Sequence, residues 1–283
     1  MQKPLRQYCP SVEPRVKTVI AVQHIRRMRG GAQSHLMLCS DHHFYVVKFG
    51  NNPQHPRVLV NEMLASQLAE QIGLPVPVSV IVEVDARLVE HTPDLHIQLV
   101  DQKVRCQAGL QFGSEYAVSP LIGRCFDYLP TETLGSVSNL TRFCAMLVLD
   151  KWTGNTDARQ AVFWRENKQR IYTAAFIDQG YCFNGGEWTF PDITLRGVYA
   201  KNEVYESVCG WASFVTSLRL IENLEPDIIR SIAQQIPREW YASNFTALGV
   251  LVQMLLDRRT MIRPLIEAFR MSVRNPFPKW REN

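Results

Sequence analysis

VLVNEMLASQLAEQIG, residues 58–73, places Val60, Leu64, Leu68 and Ile72 at every fourth position. That spacing lines one face of an α-helix with apolar side chains. Gly73 suits the left-handed conformation just past the last turn, and Pro75 cannot continue the helix. On the N-terminal side, residues 16–22, 36–39 and 44–49 are short apolar runs, the first two separated by the turn-rich MRGGAQSH of residues 28–35. Runs of this length between glycine and polar residues predict an antiparallel sheet. On the C-terminal side, residues 76–84 and 95–100 read as further strands, and the glycine-containing stretch 101–135 as an irregular crossing between two lobes. Residues 139–152 are apolar nearly all round, which predicts a buried helix capped by Ser138 or Asn139. Residues 161–164 and 171–177 flank the turn residues 166–170 and predict a β-hairpin. Beyond residue 204 the pattern is helical, over 211–220, 227–235 and 248–271. Strand-rich sequence followed by helix-rich sequence gives an α+β protein in two parts, with no internal repeat.

Composition narrows the function classes. With 46% hydrophobic residues, the 283-residue chain can bury one large core or two adjoining ones. Its longest apolar runs, 144–149 and 250–256, fall well short of the roughly 20 residues of a membrane span, so no membrane partner is expected. MQKPLRQYCP at the N-terminus has no signal-peptide apolar segment, and a cytoplasmic location is expected. The seven cysteines (Cys9, Cys39, Cys106, Cys125, Cys144, Cys182, Cys209) form no CxxC pair and are odd in number. They read as reduced, mostly buried thiols rather than a zinc site or a disulfide framework. The seven histidines show no metal-ligand spacing. A formal charge of +4 is small, and its excess gathers at Arg258, Arg259, Arg263, Arg270, Arg274, Lys279 and Arg281. No nucleic-acid motif accompanies this cluster, so it reads as the solvated face of a terminal helix and no nucleic-acid partner is expected.

Two acids flank the predicted hairpin. Asp157 stands before its first strand in GNTDARQ, and Asp178 after its second in FIDQG. A hairpin returns the chain to its start, so both carboxylates can face one cleft, where they suit a metal ion and a general base. Asp at strand ends is also a common turn former. Upstream, Lys48 lies inside the apolar run YVVKF, where burial requires a partner, and Glu62 on the following helix is a candidate. The alternative is an edge-strand lysine and a surface glutamate. Gly30 and Gly31, in RGGAQS, permit close approach of backbone N–H groups to phosphate, although a Gly-Gly turn is also an ordinary hairpin signal. Trp188, Phe190, Trp211 and Trp240 read either as core of the second lobe or as the wall of a substrate pocket.

In order, these segments are GGAQSH (30–35), VVKF (46–49), NEMLASQLAEQIGLPVP (61–77), NTD (155–157) and IDQG (177–180). With them the chain resembles the HipA-like kinases, within the wider kinase-like superfamily that includes phosphatidylinositol 4-kinases. The resemblance covers about residues 20 to 185. It implies a bilobal protein-kinase-like fold, with a β-rich N-lobe over 1–120 and an α-helical C-lobe over 121–283. It implies ATP with Mg2+ or Mn2+, and transfer to a Ser or Thr hydroxyl of a protein or to a small-molecule or lipid acceptor. Lys48 would meet the α- and β-phosphates with Glu62 orienting it, and Gly30, Gly31, Ala32, Gln33 and Ser34 would cover the phosphates. Asp157 would take the acceptor's proton and Asp178 would hold the metal. The family places a metal-binding Asn five residues after the catalytic Asp, where this chain has Val162. Gln160 can supply an oxygen instead. Alternatively Asp150 and Asn155 have the five-residue spacing, with Asn155 as the ligand. Loss of the ligand would give an inactive, nucleotide-binding pseudokinase. The resemblance also allows an antitoxin-like partner, although the small domain preceding the kinase core of full-length HipA toxins has no counterpart in the sequence.

Overall fold

The structure is a computed structural model that describes residues 16–281. Cys9, the N-terminal MQKPLRQYCP and Glu282 lie outside the described residues. The chain begins with strands β1 (Thr18–Arg27), β2 (His35–Cys39) and β3 (Phe44–Lys48), followed by helix α1 (Val58–Gln71) and strand β4 (Ser79–Val84). A short helix α2 (Ala86–His91) and a small hairpin, β5 (His96–Gln98) with β6 (Lys103–Arg105), lead to β7 (Gly109–Glu115). Strands β1, β2, β3, β7 and β4 close into a barrel, antiparallel throughout except where β1 runs parallel to β4. Alternation fills it: Tyr45, Val47 and Phe49 point inward with Val19, Ala21, Met37, Cys39, Val80 and Val82. Val46 and Lys48 therefore point the other way, out of the barrel.

The stretch expected to be an irregular crossing thus contains the strand that completes the barrel. Its glycines hid it, because they are depleted in strands, yet one of them is required by packing. A Cβ on Gly113 would lie 2.4 Å from Val82 Cγ2 and 3.0 Å from Val80 Cγ2. We expect Gly113→Ala to destabilise the protein by about 1–3 kcal/mol through overpacking. The check is a lowered urea midpoint with an unchanged denaturant slope.

From β7 the chain crosses through residues 116–122 to β8 (Gly123–Phe126), then to α3 (Arg142–Thr153) and the hairpin β9 (Gln160–Glu166) with β10 (Thr173–Ile177). The order β10-β9-β8 makes a second, three-stranded sheet. Helices α4 (Val215–Glu222), α5 (Pro226–Gln234), α6 (Phe245–Asp257) and α7 (Ile262–Arg270) complete the fold. The single helix expected over 248–271 is broken by a 3-10 turn at Arg258–Met261, and Pro264, which has no N–H, falls in the first turn of α7. Ser138 and Asn139 do not cap α3, which begins after Thr141 without a side-chain cap. Asn139 instead bonds the N–H and C=O of Ala174. No helix among the described residues is long and apolar enough to cross a membrane.

α1 is more deeply placed than one apolar stripe implies. Every residue from Val58 to Ala69 is buried, because the helix packs on β4 and β7 on one side and on α3 and α5 on the other. Gly73 does end it, at φ +70°. The terminal basic cluster is solvated only in part: Arg263, Lys279 and Arg281 are exposed, whereas Arg259, Arg270 and Arg274 are half-buried. Arg258 is buried, paired with Asp192 and stacked 4.0 Å over Phe190, while Arg263 and Arg270 lie over Trp211 and Trp280. Trp188 and Trp240 are buried in the core.

Candidate active site

Between the barrel and the helical part lies a cleft of about 1160 Å³. Lys48 reaches it as the last residue of β3, on the face that alternation turns outward. Its Nζ donates to Asp178 Oδ1 at 2.6 Å and pairs with Glu62 Oε1. Both the edge-strand lysine and the surface glutamate are thereby excluded: Lys48 is 8% and Glu62 2% exposed. The other Glu62 oxygen accepts the Gln179 N–H at 3.0 Å, so α1 is clamped to the segment that follows β10.

Electrostatics follow from this burial. Desolvation would lower the Lys48 pKa, but the charges of Asp178 and Glu62 outweigh it and hold the ammonium above its ordinary range. Desolvation raises Glu62, opposed by Lys48 and reinforced by the Asp178 charge. For Asp178, desolvation pushes upward, yet the Lys48 charge and hydrogen bond win and the carboxyl lies below its usual range.

Asp178 follows Ile177, which pairs with Gln160 across the hairpin, and it adopts φ +64°, uncommon for a residue other than glycine. Asp157, three residues before β9, faces the same cleft from the same open end of the hairpin. Its N–H donates to Asn155 Oδ1 at 3.0 Å and its C=O accepts the Gly197 N–H at 2.9 Å. Gly180 is a close-approach position, because a Cβ there would lie 2.8 Å from Val58 Cγ1 and 3.2 Å from Glu62 Oε1.

The remaining expected residues divide. Gly30, Gly31, Ala32 and Ser34, in the β1–β2 turn, line the cleft. Gln33 does not; its amide is spent on the backbone N–H and C=O of Gln98, both at 2.7 Å. Gln160 Nε2 donates to Asp178 Oδ2 at 2.8 Å, which sets that side chain directly beside the acid. Asn155 is buried away from the cleft. Its oxygen holds the Asp157 N–H and its amide donates to Asp150 Oδ1 at 2.9 Å, so the oxygen expected to be free for a metal is already engaged. Asp150 is enclosed on α3, in a bidentate pair with Arg159. Val162 lies inside β9 opposite Ala175 and forms part of the cleft wall with Val46, Phe112 and Ile177. Position +5 after Asp157 is therefore strand rather than loop, and Gln160 is the residue that faces Asp178.

Two polar side chains at the site went unnoticed in the sequence. Arg159 Nη1 donates to Ile177 O, Gln179 Oε1 and Asp178 O at 2.7, 2.6 and 3.3 Å. Asn61, fully buried on α1, donates to the carbonyls of Gly180 and Gly185 and accepts from Trp188 Nε1. A polar residue inside an otherwise apolar, buried helix is the signal that could have found the second.

The fold is that of known kinases. The chain is similar to the Helicobacter pylori proinflammatory kinase CtkA, with a TM-score of 0.55 at 13% identity over 92% of this chain and 99% of that one. It is also similar to hydra Fam20, solved with sugar, with a TM-score of 0.51 at 10% identity over 93% of this chain and 88% of that one. No curated protein matches it by sequence. The HipA-like kinase profile matches residues 21–262, which include Lys48, Glu62, Asp157 and Asp178, and the chain belongs to the HipA-like kinase family.

Proposed function

We propose that this protein is an ATP-dependent phosphotransferase that carries the γ-phosphoryl group of ATP to a Ser or Thr hydroxyl of a protein. The proposal rests on one convergence: Lys48 of the barrel, Glu62 of α1 and Asp178 after β10 in direct contact, with Asp157 facing the same cleft. The cleft, at about 1160 Å³, is large enough for a nucleotide. Gly30, Gly31, Ala32 and Ser34 roof the phosphates with backbone N–H groups. Lys48 neutralises phosphate charge, held in place by Glu62. Val46, Val162 and Ile177 supply an apolar wall. Asp157 accepts the hydroxyl proton as the acceptor oxygen bonds to phosphorus and ADP leaves.

Asp178 and Gln160 fit a hard divalent cation, since they are adjacent and carry oxygen donors. Their amide–carboxylate hydrogen bond would open to present both oxygens. Bound there, Mg2+ or Mn2+ would neutralise charge between the phosphates. We also propose that residues up to about 120 act as one lobe and the remainder as the other, with 116–122 as the crossing.

The test is incubation of the purified chain with γ-labelled ATP, Mg2+ or Mn2+, and generic protein acceptors. Label transfer is expected, and Asp178→Asn should lower it by about 100-fold or more by removing the charge that holds the metal. Thermal stabilisation by ATP without transfer under either metal would instead identify a nucleotide-binding module.

A further inference from the structure

Asp157 and Asp178 belong to different segments, and phosphoryl transfer needs them at one fixed separation. One buried ion pair reaches both. Asp150 on α3 takes Arg159 Nε on Oδ2 at 2.9 Å and Nη2 on Oδ1 at 2.5 Å, and both side chains are 1% exposed. The Oδ1 atom also accepts from Asn155, whose own oxygen holds the Asp157 N–H. At its far end the guanidinium grips the carbonyls of Ile177 and Asp178 and the side chain of Gln179. One carboxylate thus anchors the loop of Asp157 through Asn155 and the turn of Asp178 through Arg159.

We propose that Asp150 and Arg159 are positioning residues that set the register of Asp157 against Asp178. This rests on the phosphotransferase reading above. Stability alone is a poor explanation, because a buried ion pair is often no better than an apolar pair of similar volume. The chain of contacts instead has a directional result. It holds the two carbonyls flanking the Asp178 α-carbon, whose backbone sits at φ +64° and needs support from its surroundings. Most of the five guanidinium N–H groups are already committed, so Arg159 has little left to offer a substrate.

Two variants of the full chain test this. Arg159→Lys keeps the charge but replaces a planar fork with a point donor, which cannot span Asp150 and the hairpin carbonyls together. Asp150→Asn/Arg159→Met removes both charges, keeps an acceptor for Asn155, and guards against a single variant that fails to fold. For each, ADP affinity is measured by calorimetry in EDTA and in Mn2+, turnover is measured with ATP and Mn2+, and hydrogen exchange is followed without ligand. The expected result is metal-free ADP affinity near wild type, a loss of about 10- to 100-fold in the Mn2+-dependent gain and in kcat, and little change in KM for ATP. Exchange should rise together in residues 154–160 and 176–180 while the β1–β3 barrel stays protected. A folded variant with wild-type kcat, or with exchange unchanged in either segment, overturns the proposal. Should the wild-type chain neither bind nor turn over nucleotide, the phosphotransferase reading fails by itself, and the exchange pattern still decides whether the pair couples the two segments.

Discussion

Asp157→Ala is expected to leave a folded protein that binds ATP but transfers its phosphoryl group about 100- to 10,000-fold more slowly, the range of a lost general base. The loop that carries Asp157 does not depend on the carboxylate. Its backbone is held by Asn155 Oδ1 at the N–H and by Gly197 at the C=O. Among the described contacts of the side chain is one local bond, from the Ala158 N–H to Oδ1 at 2.8 Å. Truncation therefore removes a cleft-facing carboxylate and little packing, and stability should stay within about 0.5 kcal/mol of wild type. Turnover with labelled ATP and a urea melt measure the two quantities. Unchanged turnover would remove Asp157 from the mechanism. Asp150 could not then inherit the role, because its two oxygens are enclosed by Arg159 and Asn155 at 1% exposure.

Sequence reading succeeded where a local period carries the information. The inward turn of Tyr45, Val47 and Phe49 fixes the outward turn of Val46 and Lys48, so a lysine within that strand has to find a counter-charge across the cleft. The hairpin argument needed only that β9 and β10 be antiparallel, and their register sets Gln160 opposite Ile177. Failure came where tertiary packing overrides local pattern. β7 was invisible because Gly113 is chosen by the Val80 and Val82 side chains it faces. The burial of the other polar residues of α1 is not legible, because periodicity cannot distinguish a hydrated side chain from one such as Gln67, which bonds Ser79 Oγ at 2.8 Å inside the core. Counting five residues from Asp157 to Val162 presupposed a long loop, whereas β9 starts at Gln160. The Asp150–Arg159 pair has no linear signature, since its meaning lies in the carbonyls of residues 177 and 178.

Lys48→Met should abolish transfer and also reverse the contribution of Asp178 to the response of stability to acid. In the wild-type protein the folded pKa of Asp178 lies below its ordinary value, so its contribution to stability is present above the unfolded pKa and is lost as pH falls through the folded one. Removing the ammonium leaves Glu62 and Asp178 facing one another, with side chains 3% and 29% exposed. Desolvation, already the largest influence on both acids, then acts without its main opponent, and like-charge repulsion adds to it. The folded pKa of Asp178 moves above its unfolded value and that of Glu62, already raised in the wild type, rises further; the native state binds the extra proton, and stability falls as pH rises through that interval. Breaking a buried pair from one side costs about 3–5 kcal/mol, which sets the expected loss at neutral pH. Urea midpoints from pH 5 to 8 should fall toward high pH more steeply in Lys48→Met than in the wild type, where Glu62 alone of the two acids is held above its ordinary value and Asp178 below it. Adding Glu62→Gln should recover part of the loss and flatten the profile, because one of the two repelling charges is gone. Parallel profiles for wild type and Lys48→Met would mean that the ammonium does not neutralise these acids, and the case for Lys48 as the phosphate-binding cation would go with it.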